Sequence, residues 1–436
     1  MARYAHIIGW GKAIPRRVMT NDDWAKLVDT SDEWIRSRTG VRERHFVSDG
    51  ESTLTLALEA ARNALEVARL SPAYLDLIIV ATVTPEYQFP ATACLLQDRL
   101  GASRAAAFDL SAGCSGFIYG VSLASDAIRA GSYQYALVIG AETLSRIMDW
   151  QDRTTCVLFG DGAGAVVLAA SQVPGGIMSY MLGADGSGAD YLIMPGGGSR
   201  HPTTHETVEQ RMHYIKMNGR EVFKFATRAM DRATRLVCER ANVPLEHVEL
   251  VVPHQANDRI IQAAAKSLGL MDSAFYVNLD RYGNTSAASI PIALCEVLEK
   301  GLVRRHDHVV LVGFGAGLTW GALLLQWETP FPAVTLKWWQ RLYNAVYYRW
   351  AQLRSWLARL RRRVEGWQTR ENGNGDTARK RAASSRREAA TPLSDRPGAR
   401  EEESKHSENA PSTAGGHSLP SGETAAQAQD AAHQGS

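Results

Sequence analysis

The segment FDLSAGCSGFIYG, residues 108–120, sets a cysteine among serines and glycines where an apolar run stops and a helical pattern starts. Phe108 to Leu110 read as the end of a strand. Phe117, Val121, Ala124 and Ile128 follow at helical spacing, and Gly131 reads as the stop. Cys114 is therefore expected at a strand-to-helix turn, where backbone N–H groups stabilise a thiolate and lower its pKa. The alternative is a packed, inert thiol, since free cysteine is among the most buried residue types.

Three more apolar runs end in residues that suit the same chemistry. ELVVP leads to His254 in PHQAND, FYVNL leads to Asn284 in DRYGNTSAAS, and HVVLVG ends in GFGAG (313–317). Helical patterns over Ser115–Ala130, Ala256–Leu268 and Ser286–Glu299 follow the first three ends. Taken singly, His254 reads as a satisfied core histidine, Asn284 as a left-handed turn residue beside Gly283, and GFGAG as a strand-to-strand turn. All four share one structural position, however, and ligands of open α/β sheets gather at the carboxyl ends of strands. A thiol, an imidazole, a carboxamide and a glycine turn are thus expected to converge. GDGAGA (160–165) fits GxGxxA, but the strand-like VVLAA follows it where a dinucleotide site requires a helix, so that reading is rejected.

The elements that must position these groups form a weak internal repeat. LDLIIVATV, AFDLSAGCSG, YALVIGAE and GAGAVVLAA match, in order, VELVVPHQ, FYVNLDRYGN, HVVLVGFGAG and WGALLLQW. The first three runs of each set are apolar enough for strands covered on both faces. Two similar α/β halves are expected, residues 1–173 and 174–328, with the boundary near SQVPGG (171–176). Residues 333–367 read as a basic amphipathic helix. Residues 368–436 carry almost no large apolar side chain and read as a disordered tail.

Composition excludes several function classes. The formal charge of +2 gives no electrostatic signature of a partner, and the five cysteines are far apart with no CxxC pair. That argues against a disulfide framework or a zinc site, and for a reducing compartment. The N-terminus lacks the apolar core of a signal peptide, and no apolar run is long enough to span a membrane. The expectation is a cytoplasmic enzyme that needs no metal or cofactor.

SAGCSGF, PHQAN, DRYGNTSAAS and GFGAGLTWG, together with TSDEWIRSRTGVRERH (30–45) and LFGDGAGAVVL (158–168), resemble the signatures of β-ketoacyl-ACP synthase III, in the thiolase superfamily. The likeness runs from residue 1 to about 328. It implies an α/β, thiolase-like, duplicated five-layer αβαβα fold and a homodimer. It implies a decarboxylating Claisen condensation: Cys114 takes the acyl group from acyl-CoA, malonyl-ACP loses CO2, and the carbanion attacks the acyl-cysteine to give 3-oxoacyl-ACP. His254 and Asn284 would stabilise the thioester enolate, and the backbone N–H groups of Cys114 and Ala316 would form the oxyanion hole. The resemblance further implies that Trp34 and Arg153 sandwich the adenine of CoA, that Arg38 lies near its phosphates, and that Asn257 meets the pantetheine arm. Phe89 would close a partner's acyl pocket, and Lys224 and Arg259 would face the acidic carrier protein. Two departures are visible: Ala316 in a turn that usually holds three glycines, and Arg220 where asparagine is usual.

The extension lies outside the resemblance. Leu336, Trp339, Leu342, Val346, Trp350, Leu353, Leu357, Leu360, Val364 and Trp367 follow 3–4 spacing, and no acid occurs between Lys337 and Val364. Such a helix suits an anionic membrane surface, with packing on the enzyme as the alternative; nucleic acid is not expected. Competing functions are a condensing enzyme or acyltransferase of a secondary-metabolite pathway, a cysteine hydrolase, and a non-catalytic membrane tether.

Overall fold

The structure, a computed structural model, describes residues 2–328, 346–351 and 353–362. Beside two two-stranded ribbons, its strands form a five-stranded and a four-stranded sheet whose orders match. The first runs Tyr4–Ala13, Asp161–Ser171, Tyr135–Thr143, Leu77–Ala81, Ala106–Leu110; the second runs Gly176–Ala184, Thr319–Gln326, His308–Gly315, Leu250–Pro253. In each, the first two pairings are antiparallel and the next is parallel. Leu77–Ala81, Tyr135–Thr143 and Asp161–Ser171 come from the runs that match Leu250–Pro253, His308–Gly315 and Thr319–Gln326, whereas Tyr4–Ala13 and Gly176–Ala184 lie outside the repeat.

FYVNL, expected as the second half's counterpart of Ala106–Leu110, is not a regular strand. It contributes a single parallel bridge, Phe275 to Val251. The backbone is diverted by side chains: the Asn278 N–H donates to Gln255 Oε1 at 2.9 Å, and its carboxamide donates to Glu296 at 3.1 Å. The backbone donor that would continue the pairing is thereby taken by a side chain, and the second bond helps hold the chain that leads to Asn284.

Helices make three further layers. Thr53–Ala68 and Thr92–Leu100 cover the outer face of the first sheet, Gly116–Arg129 and Ser289–Glu299 lie between the sheets, and Gly219–Ala241 and Asp258–Leu268 cover the second sheet. The helix Thr53–Ala68 starts with a Ser52/Thr55 capping box and turns Ala57, Ala60, Ala61 and Ala64 to the strands. That face is small because it must approach Gly9 and Gly11 closely: a methyl group on either would fall within 2.5 Å of the helix backbone. The central layer is bound by the same device. At Gly140, in the strand that ends beside the functional cysteine, a methyl would lie 2.1 Å from the Ala287 carbonyl oxygen.

Two helix starts differ from expectation. The helix expected from Ala256 begins at Asp258, with Asn257 as its N-cap accepting from the Arg259 N–H at 2.9 Å. Asn257 therefore reaches the site as a cap, and does not share a helix face with His254. The segment expected as a helix from Ser286 begins as a 3-10 turn, Ser286–Ala288, and becomes α-helical at Ser289.

Residues 346–351 and 353–362 are helical and pack on the outer layer. The Tyr347 hydroxyl donates to the Gly101 carbonyl at 3.2 Å, Ala351 is buried against Gly101, and Arg359 pairs with Asp98 at 3.1 Å. Ser355 also bonds Asp98, and Arg62 stacks on the Tyr348 ring. The expected apolar stripe is the opposite face: Val346, Trp350, Leu353, Leu357 and Leu360 are exposed. Residues 333–345 and 363–367 of the expected amphipathic helix, and the expected tail 368–436, lie outside the described residues. No described helix is long and apolar enough to cross a membrane.

The close fit at Gly140 gives a direct test. Gly140→Ala pushes a methyl into a backbone carbonyl that cannot swing away, so the urea midpoint is expected to fall by the equivalent of about 1–3 kcal/mol.

Candidate active site

Cys114 lies in the 3-10 turn Gly113–Ser115 that opens onto the helix Gly116–Arg129. Gly113 has φ +55°, and a methyl there would come 2.8 Å from the Ala316 nitrogen; one on Gly315 would come 2.4 Å from the Cys114 nitrogen. The strand His308–Gly315 and its tight turn into Thr319–Gln326 are thus laid against the cysteine's own backbone. GFGAG is a strand-to-strand turn, and it also abuts the cysteine. The Thr319 hydroxyl fixes this contact by donating to the Ala112 and Ala316 carbonyls, at 2.8 and 3.0 Å.

His254 follows the strand Leu250–Pro253 and is 1% exposed. Its Nδ1 lies 2.6 Å from Ser289 Oγ, which also accepts from the Gln255 N–H. With the serine hydrogen directed at Nδ1, the other nitrogen, Nε2, is an N–H donor. Burial pushes the imidazole pKa down to about 3, so it is neutral at any working pH. Asn284 is held by two backbone bonds to the segment 158–160, Asn284 N to Leu158 O and Gly160 N to Asn284 O. Its Oδ1 accepts from the Ser286 N–H at 2.8 Å, which turns the amide N–H groups the other way. Cys114, His254 and Asn284 line one cavity of about 110 Å³, walled by Phe159, Phe225 and Phe314, with Asn257 at its rim. The ends of the four apolar runs that the sequence singled out do meet.

The cysteine differs from expectation in its protonation. Burial is the largest influence and pushes the thiol up to about 12, with the nearby Glu142 carboxylate adding to it; the Ser286 hydroxyl and the cysteine's own N–H pull the other way. In this buried setting the resting group is a thiol.

Trp34 and its neighbours form a second cluster. Arg153 lies over the Trp34 ring at 5.2 Å and Arg38 at 4.9 Å, while Arg153 also pairs with Asp29. The cluster connects to the cavity, because the Asn257 amide donates to the Arg38 carbonyl at 3.1 Å. The other expected residues are more scattered. Phe89 is 87% exposed and lines no part of the cavity within its own chain. Lys224 pairs with Glu221, and Arg259 donates to the Ser37 carbonyl at 2.8 Å.

Residues 108–186 match the family model for 3-oxoacyl-acyl-carrier-protein (ACP) synthase III, and residues 238–327 match the model for its C-terminal part. A β-ketoacyl-ACP synthase III from Caldanaerobacter subterraneus subsp. tengcongensis is 54% identical over 324 residues, 74% of this chain and 98% of that one. One from Symbiobacterium thermophilum is 57% identical over 321 residues, 74% and 97% of the two chains. The crystal structure of the Aquifex aeolicus synthase III superposes with a TM-score of 0.70 at 49% identity, covering 74% of this chain and all of that one. The chain belongs to the β-ketoacyl-ACP synthase III family. Its duplicated layers are the thiolase-like fold, and it is an acyltransferase of the condensing type.

Within this synthase III, three polar groups of the site escaped the sequence reading. Ser289 sets the histidine tautomer, and Glu142 and Ser286 stand behind the cysteine. Glu142 had a legible signal: a lone carboxylate ending the apolar strand YALVIGAE. The serines had none, because their partners are far away in sequence.

A neutral His254 with a fixed tautomer has two checkable consequences. Nitrogen NMR is expected to show a ring protonated at Nε2 and unchanged from pH 5 to 9. Below about pH 6.5 the unfolded chain's histidine takes up a proton that the folded one refuses, so this group erodes stability as pH falls toward 3.

Proposed function

We propose that Cys114, His254 and Asn284 carry out the decarboxylating condensation by which a member of this family starts fatty acid synthesis, joining an acyl-CoA starter to malonyl-ACP. The observation that carries this reading is the shared cavity: one sulfur and two neutral N–H donors face the same small, apolar space. Attack of the sulfur on the starter thioester releases CoA and leaves an acyl-cysteine. Loss of CO2 from the malonyl group then places negative charge on a thioester oxygen. Two uncharged donors held by Ser289 and by the Ser286 N–H stabilise that oxygen without the reorganisation water would need. The N–H groups of Cys114 and Ala316, pressed together by the glycine contacts, serve the tetrahedral step.

The cluster at the mouth accounts for CoA. Adenine enters between Trp34 and Arg153, Arg38 meets the phosphates, and Asn257 guides the pantetheine arm inward. Lys224 in the second turn of its helix and Arg259 in the first turn of its own flank this route and receive the acidic carrier protein. No cofactor takes part in this scheme.

The active form in this reading is a homodimer. Ala106–Leu110 is an edge strand with Phe108 exposed, and Phe89 and Tyr87 project beside the helix that covers it. Pairing of two such edges would remove an aggregation-prone surface and carry Phe89 toward the partner's acyl pocket. A starter pathway outside fatty acids has one relative in its favour: a priming β-ketosynthase of the R1128 polyketide pathway, 34% identical with a TM-score of 0.70 and matched over 76% of this chain and 98% of that one. The markedly higher identity of the synthase III relatives favours the fatty acid reading.

We further propose a cytoplasmic enzyme that sits peripherally on anionic bilayers through its C-terminal extension. The helix is anchored to the body by its tyrosine–alanine–serine face, which leaves Val346, Trp350, Leu353, Leu357 and Leu360 outward, with Arg349 and Arg354 alongside. An apolar stripe with tryptophan, arginine at its flanks and no acid from 337 to 364 matches an interface rich in lipid phosphate.

Three measurements test these proposals. Intact mass after incubation with acyl-CoAs is expected to show an adduct that is absent in Cys114→Ala; in Asn284→Ala the adduct forms, but its discharge to 3-oxoacyl-ACP slows about 10²–10³-fold. An adduct that decays in water as fast as with malonyl-ACP would instead favour a hydrolase. Trp34→Ala is expected to raise KM for acyl-CoA about tenfold with little change in kcat. In flotation with phosphatidylglycerol vesicles, the full chain is expected to rise and Trp350→Glu/Leu357→Glu to stay down; equal binding to neutral vesicles, or binding by the double variant, would remove the lipid reading.

A further inference from the structure

Cys114 rests as a thiol, yet its reaction requires a thiolate. His254 is a poor acceptor for the proton, because burial disfavours the imidazolium and Nδ1 is engaged with Ser289 Oγ. A different acceptor stands behind the sulfur. Glu142 ends the strand Tyr135–Thr143 with no exposed surface, and Ser286 lies between it and Cys114. The Ser286 hydroxyl donates to Glu142 Oε1 at 3.0 Å, and its turn, Ser286–Ala288, packs against the turn Gly113–Ser115, where the hydroxyl favours the thiolate form of Cys114. Ser286 is held at φ +50°, a left-handed conformation that a non-glycine residue adopts only when its surroundings impose it. The imposed backbone is what aims one hydroxyl at both groups.

The carboxylate is held in a polar nest inside an otherwise apolar layer. Thr84 Oγ donates to it at 2.6 Å, Thr82 Oγ lies at 3.2 Å, and the Val83 N–H points at both oxygens. The other ionisable groups near it are engaged elsewhere. Asp161 accepts from Ser145 and Val47, Glu86 accepts from the Leu54 N–H, and His254 is bonded to Ser289. One proton and one negative charge are thus shared by a thiol and a carboxyl that a single hydroxyl connects.

We infer that Ser286 and Glu142 form a proton relay that withdraws the Cys114 proton for acylation and holds it while the acyl-enzyme exists. This rests on Cys114 being the nucleophile. As the sulfur attacks the starter carbonyl, its S–H bond breaks and the proton passes to Ser286 Oγ, while the serine's own proton passes to Glu142. CoA leaves as its thiolate and takes a proton from solvent. When the new carbon–carbon bond forms, the cysteine departs as a thiolate, and the proton returns from Glu142 through Ser286. The relay ends each cycle as it began, and the one proton consumed overall is that on CoA. Burial, against the four donors, places the Glu142 carboxyl at about 7, so it changes state readily at working pH.

Peptide-resolved alkylation of Cys114 by iodoacetamide, followed from pH 5 to 10 on the full chain, tests the relay. Wild type is expected to show an inflection near pH 7. In Glu142→Gln that inflection is lost and the rate at pH 7 falls tenfold or more, while acyl transfer from acyl-CoA falls in parallel. The two accounts of Glu142 predict opposite signs. If Glu142 were only a fixed negative charge that raises the thiol pKa, its neutralisation would speed alkylation, and an equal or faster rate overturns the proposal. Ser286→Ala removes one oxygen and keeps the N–H that holds Asn284, so it carries the test should Glu142→Gln not fold. The same loss is expected, with partial recovery in Ser286→Thr. Unchanged alkylation there refutes the relay, whereas alkylation intact with no acyl adduct in wild type refutes Cys114 as the acyl carrier.

Discussion

Two backbones touch at the centre of this enzyme with no side chain between them. Gly113 and Cys114 from the first half meet Gly315 and Ala316 from the second at distances that leave no room for a methyl group. Everything chemical depends on this contact. It brings the amides of Cys114 and Ala316 to one place, and it sets the sulfur at the start of a helix. It also lets the strand end at His254 and the loop at Asn284, both from the second half, face the Cys114 thiol from the first. The duplication is what makes such a contact available, because two sheets of equal strand order present their carboxyl ends to each other across the central helices.

The site is buried, and its polar groups are tuned by what holds them more than by charge. His254 and Asn284 are oriented by one hydroxyl and one backbone amide respectively, and neither carries charge. Burial makes ionisation costly for the thiol and the imidazole, so the developing negative charge of the reaction is the largest charge in the cavity when it forms. Fixed neutral dipoles respond to that charge more strongly than they would in water. The same burial that helps the transition state hinders formation of the thiolate, and this tension accounts for a carboxylate kept within one hydroxyl of the sulfur.

Much of this was legible in the chain. Apolar runs ending in Cys114, His254, Asn284 and GFGAG placed the chemistry at strand ends, and the repeat gave the duplication, because periodicity and punctuation are local properties. What was missed is not local. FYVNL has the composition of a strand, but Gln255 and Glu296 claim its backbone and side-chain donors from elsewhere in the chain. Asn257 looked like a residue of a helix face and is a cap, a difference of two residues in where the helix begins. The thiol was expected to be acidic from its helix N-terminus, and burial, which no single stretch encodes, outweighs that. Glu142 and Ser286 are 144 positions apart, and only the folded chain shows them as a pair.

The helix Thr92–Leu100 carries a load at each end. At its first turn, the Asp109 carboxylate on the edge strand binds the Thr92 and Ala93 N–H groups, just beyond Phe89. At its last turn, Asp98 holds Ser355 and Arg359 of the extension. Nine residues of α-helix make a rod of about 13 Å, too short to bend. Torque applied to the extension therefore cannot dissipate along it, and arrives as displacement of the edge strand and of the aromatic that precedes the rod. The extension and the segment that carries Phe89 are mechanically one part.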